Sequence, residues 1–344
     1  MRITALAGGI GGARFLRGLL HHLRQVRPDG AGGTTDELTV IVNTGDDIRI
    51  HGLNVSPDLD SVMYTLGGGI SEERGWGRDG ETFTVKDELA AYGMEPTWFG
   101  LGDKDTATHL VRSQLLAAGY PLSAVTEALC VRWNPGARLL PMSDDRLETH
   151  VVVNDPDRRA IHFQEWWIRH RAQLPAEAFV LVGLDEAQPG PGVLEAITNA
   201  DVVLLPPSNP VVSIGTILQV PRVRDALRAT AAPVVGLSPI VGGAPVRGMA
   251  DACLTAIGVP TTASAVARHY GPRRTRVPAG GDGGGLLDGW LVDELDADVV
   301  AEVEALGIRC VAVPLLMHDV PAAAAMAHAA LDLAASVSGD TGGR

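Results

Sequence analysis

The residues best placed to do chemistry are acids and glycines that follow short apolar runs. In Asn43-Thr44-Gly45-Asp46-Asp47, two adjacent carboxylates come directly after an apolar segment. Such a pair repels itself unless a cation or hydrogen-bond donors offset the charge. Hard oxygen ligands of this kind suit Mg²⁺; an acidic surface turn is the other reading. In Ser56-Pro57-Asp58-Leu59-Asp60, Ser-Pro is an N-cap and N1 pair, so a helix should start there. Asp58 and Asp60 then fall in its first turn, where the macrodipole favours acids and accounts for Asp58. Residues two apart on a helix point to different sides, so one of the two can face a pocket. Gly102-Asp103-Lys104-Asp105 runs into another helix, with Lys104 held between acids and able to meet a phosphate or a ring carbonyl.

A glycine turn, Gly8-Gly9-Ile10-Gly11-Gly12, opens the first helix. Without Cβ atoms, Gly9, Gly11 and Gly12 let backbone N–H groups approach an oxyanion at the helix N-terminus. Arg14 stands where the dinucleotide fingerprint wants its third small residue, and no Gly-Lys-Ser/Thr follows. The second strand ends in Asn43, not in an acid placed for a ribose, which argues against a nicotinamide-dependent oxidoreductase. Two further loops follow apolar strands: Pro207-Ser208-Asn209-Pro210 with Ser213 as the next helix cap, and Ser238-Pro239-Ile240-Val241-Gly242-Gly243. Their polar groups could read a base edge. The adjacent Trp166 and Trp167 either line a flat-ring pocket or pack an insertion onto the core.

These residues need a scaffold that brings loops together. Hydrophobic residues make up 46% of the 344 and aromatics only 4%, so the core must be aliphatic, as in parallel sheets covered on both faces. Strand and helix patterns alternate: strands at 3–7, 38–43, 179–182, 202–205, 234–237, 290–292 and 309–313, with helices at 13–27, from Asp105 to about 116, after Ser123, and 321–335. Segment 29–37 reads as a mobile loop, and the stretch up to about 105 as largely loop. Strands at 149–154 and 159–163 flank Asp155-Pro156-Asp157 as a hairpin. The expected fold is a Rossmann-like, doubly wound, mostly parallel sheet: one domain over 1–335, an inserted hairpin subregion at about 141–175, and a disordered tail at 336–344. Residues 271–285 read as a flexible loop or a lid. Such sheets bind ligands at the carboxyl ends of their strands.

The formal charge of −13 repels nucleic acid and anionic lipid. Three scattered cysteines form no metal or disulfide pattern and read as reduced thiols. No secretory leader and no spanning run of apolar residues is expected, which gives a cytoplasmic protein.

Taken in order, GGIGGAR, NTGDD, SPDLDSVMY, GWG, FGLGDKDTATH, RLLPMSDD, IHFQEWW, PPSNPVVSIG and LSPIVGG resemble the 2-phospho-L-lactate (or phosphoenolpyruvate) transferase family of coenzyme F-420 biosynthesis, over about residues 1–335. The resemblance implies an Mg²⁺-dependent, commonly dimeric enzyme. A three-carbon acid on a guanosine-linked diphosphate passes to the ribityl hydroxyl of the deazaflavin Fo, and GMP leaves. It implies that Asp60 and Lys104 contact the acceptor and that Asp46 and Asp47 form the acidic loop, with Asp46, Asp47 and Asp60 as the expected metal ligands. Gly9, Gly11, Gly12, Asn43 and Asp103 are expected at the substrates, and Ser208, Asn209, Ser213 and Gly242 on the guanosine side. Composition resembles the actinobacterial branch, which favours enolpyruvate in the donor. The alternative is a non-catalytic, nucleotide-sugar-binding regulator from a related family that shares the glycine start.

Overall fold

The computed structural model describes residues 1–273 and 284–339. β1 (Arg2–Ala7) leads through Gly8 into α1 (Gly9–Val26), and β2 (Glu37–Val42) lies parallel beside β1. The expected glycine turn is shorter than its sequence: Gly9 already belongs to the helix, at φ +63°. The absent side chains let the helix start flush against a neighbouring loop, since a Cβ on Gly11 would sit 2.6 Å from the Pro207 carbonyl oxygen. Segment 29–36 is closed by the Asp29 carboxylate, which accepts from the amides of Ala31 and Gly33.

A hairpin of β3 (Ile48–Ile50) and β4 (Leu53–Val55) precedes α2 (Pro57–Leu66). Next come α3 (Thr84–Ala91), α4 (Asp103–Ala117), α5 (Leu122–Trp133) and β5 (Arg138–Pro141). Three readings change here. α3 is a helix with no buried residue, so it carried no apolar stripe to reveal it. α4 starts two residues before Asp105. Ser123 lies inside α5, where its hydroxyl and amide bond Asp144 instead of capping.

β6 (Glu148–Asn154) and β7 (Arg158–His162) form the expected hairpin. β8 (Ala176–Val182) pairs antiparallel with β6, so the strand expected at 179–182 belongs to this three-stranded unit and not to the main sheet. α6 (Val193–Thr198), β9 (Val202–Leu205), α7 (Ile214–Gln219), α8 (Val223–Ala229) and β10 (Val234–Leu237) restore the alternation. The short β11 (Ile240–Val241) and β12 (Ala244–Pro245) precede α9 (Ala250–Ala256) and α10 (Ala263–Tyr270). β13 (Gly289–Val292), α11 (Val300–Ala305), β14 (Arg309–Ala312) and α12 (Val320–Gly339) complete the chain. The lid or loop expected at 271–285 falls mostly on 274–283, outside the described residues. The tail expected at 336–344 is helical to Gly339, with the Ser336 and Ser338 hydroxyls bonded to carbonyls of their own helix; 340–344 lie outside the described residues.

The main sheet has seven strands, all parallel, in the order β14-β13-β10-β9-β1-β2-β5. It is aliphatic on both faces because strand residues alternate sides. Ile3, Ala5 and Val40 meet Leu16, Leu19 and Met326 on one face; Leu6, Ile41 and Val203 meet Ile217 and Val223 on the other. Chain order reverses between β1 and β9, so the crevice where ligands bind such sheets lies above their carboxyl ends. Trp166 is fully buried among Val151, Phe163 and Cys253 and donates to the Leu174 carbonyl at 2.7 Å; it packs the antiparallel unit onto the body rather than lining a pocket. Burial pushes the thiols of Cys253 and Cys310 up to about 12.

α12 is long and apolar enough to cross a bilayer by length and composition, yet its apolar side packs on α1. The two helices touch at Gly18, where a Cβ would lie 2.5 Å from that of Ala323. Gly18→Ala should therefore destabilise the fold by about 1–3 kcal/mol in urea unfolding, although alanine is the better helix former. Unchanged or increased stability would show that the two helices are not in contact there.

Candidate active site

The crevice between β1 and β9 is lined by acids. Asn43, the first residue after β2, donates from its side-chain amide to Asp46, to Asp58 at 2.9 Å and to the Val212 carbonyl at 3.3 Å; its own oxygen accepts from Gly45. Gln164, from the antiparallel unit, donates to the second Asp46 oxygen at 3.2 Å. Burial, followed by the charges of Asp58 and Asp47, raises Asp46 well above the usual carboxylate range. Burial likewise raises Asp58 to about 6, against hydrogen bonds from Asn43 and the Gly9 amide.

Asp58 and Gln164 are the two members that sequence reasoning passed over. The helix dipole of α2 explained Asp58, but its carboxylate instead crosses to the start of α1. There, a Cβ on Gly8 would collide with it at 2.4 Å. An internal carboxylate thus meets the glycine-turn amide that had been expected to face a phosphate.

Asp47 is half-buried. One of its oxygens accepts from Ser56 at 2.7 Å, so Ser56 serves this acid and not the α2 end. The other, Oδ1, is shut from solvent with no hydrogen-bond partner. His162 contacts the Asp47 carbonyl at 3.1 Å. Burial raises Asp47 well above the carboxylate range; Ser56 and Arg112 pull it back, while Asp60 and Asp58 push it further up. An orphaned oxygen beside two mutually repelling carboxylates is a donor set that fits a hard divalent cation.

Asp60 has a different partner. Both of its oxygens accept from the fully buried Arg112, one of them at 3.0 Å, in a two-pronged ion pair. His109 lies 3.1 Å from Arg112 through Nδ1 and 3.4 Å from Asp105 through Nε2, and the Tyr64 hydroxyl donates to Asp105 at 2.6 Å. Oxygens and nitrogens of Asp60, Asp105 and His109 lie within 4.8 Å of one another, a spacing that could hold a metal. Arg112 already supplies that cluster with a cation. The three acids expected to share one ion, Asp46, Asp47 and Asp60, therefore divide: Asp46 and Asp47 lie with Asp58, and Asp60 lies with its arginine, the two groups meeting at Asp47.

The remaining candidates spread out. Ser208 is buried and bonds Gly8 at both its amide (3.2 Å) and carbonyl (2.9 Å), fixing the glycine turn to the loop after β9. A Cβ on Gly12 would strike the Ser208 hydroxyl at 2.5 Å, Ser213 packs on Gly8, and Gly9 touches Asp58. Asn209 folds onto its own loop, accepting from Val211 and Val212. Gly242 is exposed and donates to Asp296. Asp103 braces Thr82, Thr84 and Val85, and Lys104, exposed, donates to the Asp79 carbonyl at 2.9 Å. Beside Asp47 opens a cleft of about 140 Å³, lined among others by Thr44, Ser56, Arg146 and Glu148.

Removing Arg112 would leave Asp60 buried without a counter-charge. Arg112→Met should cost about 3–5 kcal/mol in urea unfolding, partly recovered by adding Asp60→Asn. A single variant as stable as the parent would refute the pairing.

Residues 3–316 match the family described as 2-phospho-L-lactate transferase CofD. A phosphoenolpyruvate transferase of Streptomyces griseus is 65% identical over 98% of this chain and 99% of its own. Its namesakes in Thermobifida fusca (64%; 97% and 98%) and Mycolicibacterium smegmatis (60%; 97% and 99%) are similar to a comparable degree. Among solved structures, protein BH3568 of Bacillus halodurans superposes with a TM-score of 0.60 at 18% identity, covering 96% of this chain and 99% of its own; it shares the fold. The acid-lined crevice and the near-complete match lead to one assignment: this chain belongs to the 2-phospho-L-lactate transferase CofD family.

Proposed function

We propose that the protein transfers phosphorylated enolpyruvate from a guanosine-diphosphate-linked donor to the terminal ribityl hydroxyl of the deazaflavin Fo, releasing GMP, as a cytoplasmic step of coenzyme F-420 formation. The observation that carries this reading is the Asp46–Asn43–Asp58 bridge with the orphaned Asp47 oxygen, set at the sheet's switch point in a chain of a transferase family. The relatives' name favours enolpyruvate over lactate.

The acceptor oxygen bonds to the phosphorus that bears the three-carbon acid, and its proton passes to solvent. The bond from that phosphorus to the bridging oxygen breaks, and GMP keeps the electron pair. Such a transfer asks for positioning and charge neutralisation more than for covalent chemistry. Asp46, Asp47 and Asp58 would hold Mg²⁺, which would supply charge neutralisation for the diphosphate and the leaving GMP. Asn43 and Gln164 fix the direction of the Asp46 and Asp58 oxygens. Arg112 fixes Asp60 so that its remaining lone pairs can accept from the acceptor hydroxyl, and Lys104 is exposed at the start of α4.

The direct test is mass spectrometry after incubation with Fo, the guanosine-linked enolpyruvate donor and Mg²⁺. The expected product is Fo extended by phosphoenolpyruvate, with GMP. Asp46→Asn, Asp58→Asn and Asp60→Asn should each lower turnover at least a hundredfold while the protein stays folded. Donor binding without any GMP release would leave a nucleotide-binding protein in its place.

The metal has a second readout. A carboxyl raised in the folded state binds its proton more tightly there than when unfolded, so its protonation favours folding. For Asp58 that contribution is lost as pH climbs from the ordinary carboxyl value through about 6, and Asp46 and Asp47 shift in the same direction. Mg²⁺ competes with those protons. Its gain in Tm should be largest above about pH 7 and vanish below about pH 5; a gain that does not depend on pH would place the ion elsewhere.

A further inference from the structure

Asp58 takes the glycine-turn amide, so the donor's own negative charge needs another complement. One turn into α1, Arg14 lines a shallow depression with Arg17, Ser71, Glu72 and Gly75. Arg17 engages Glu72, which feels the charge of Arg14 without bonding to it. From the other side comes Arg247, on the loop that follows β10 and the short β11–β12 hairpin. Its guanidinium lies over Gly75, where a Cβ would sit 2.5 Å from one of its nitrogens, and it reaches the Arg74 carbonyl at 3.4 Å. Among the described residues, neither Arg14 nor Arg247 makes an ion pair. Both side chains border Gly75, and burial followed by the charge of Arg14 pulls the Arg247 guanidinium below its usual value.

Two arginines that border one depression without an ion pair of their own attract an anion, and the planar guanidinium is shaped to meet paired phosphate oxygens. Residues 70–75 border the depression beside α1, and Arg247 brings the loop after β12 onto Arg74 and Gly75. We propose that Arg14 and Arg247 form a clamp for a diphosphate group over the depression beside α1. Resting on the transferase reading, this group is the donor's diphosphate.

The test uses the full chain and inorganic pyrophosphate as the probe, by titration calorimetry in metal-free buffer. Wild type should bind, R14Q and R247Q should each weaken binding about tenfold, R247K should fall between, and R14Q/R247Q should lose it. Tm should hold in all four variants, because neither arginine carries an internal ion pair. In the transfer assay, R14Q and R247Q should raise the donor KM about tenfold with little change in the acceptor KM. Wild type that fails to bind pyrophosphate, a folded double variant that still binds it, or an unchanged donor KM in that variant would overturn the clamp. Arginine-dependent pyrophosphate binding in a protein that transfers nothing from the guanosine donor would support the clamp and refute the transferase reading.

Discussion

The side-chain amide of Asn43 holds the site together. It donates to an acid that follows it in its own loop, to a second acid on α2, and to a carbonyl in the loop between β9 and α7. Three segments from both sides of the switch point are therefore fixed by one residue at the end of β2. Without those donors, Asp46 and Asp58 would face each other in a dry crevice, which is costly for two carboxylates. The amide softens the repulsion without cancelling it, since both acids remain raised. A neutral donor in this place leaves room for an external cation. An arginine there would not.

The other acid, Asp60, shows the contrast. Arg112 neutralises it internally, and the His109, Asp105 and Tyr64 contacts fill the shell around that pair. Asp105 is held below the usual range: burial works against it, but His109 and Tyr64 outweigh that cost. One half of the acid cluster is thus electrically complete and rigid, and the other is left open beside it. The boundary runs through Asp47, which feels both.

The antiparallel unit is part of this arrangement and not an appendage. Trp166 buries it against the body, and that packing delivers Gln164 to Asp46 and His162 to the backbone of Asp47. On the opposite flank, Ser208 clasps the backbone of Gly8 and holds the glycine turn beneath the loop after β9. The glycines of that turn act mainly through close packing on Pro207, Ser208 and Asp58.

The periodicity of apolar residues gives the alternating core of the parallel sheet, and ordered motifs give the family and the importance of the 43–47 and 56–60 segments. Both are local properties, readable along the chain. The edge strand β5, the helix α3 and the sheet membership of β8 were not legible. α3 buries nothing, and which sheet accepts a strand depends on partners far away in sequence. The same reason governs the site. Asp58 looked like a helix-end acid and Asp60 like a free ligand. Only the crossing of α2 beneath α1, and of α4 beside it, decides that Asp58 meets Asn43 while Asp60 meets Arg112. A carboxylate's type is written in the sequence, but its counter-charge comes from whatever residue folding places within hydrogen-bonding distance, here 15 and 52 positions away.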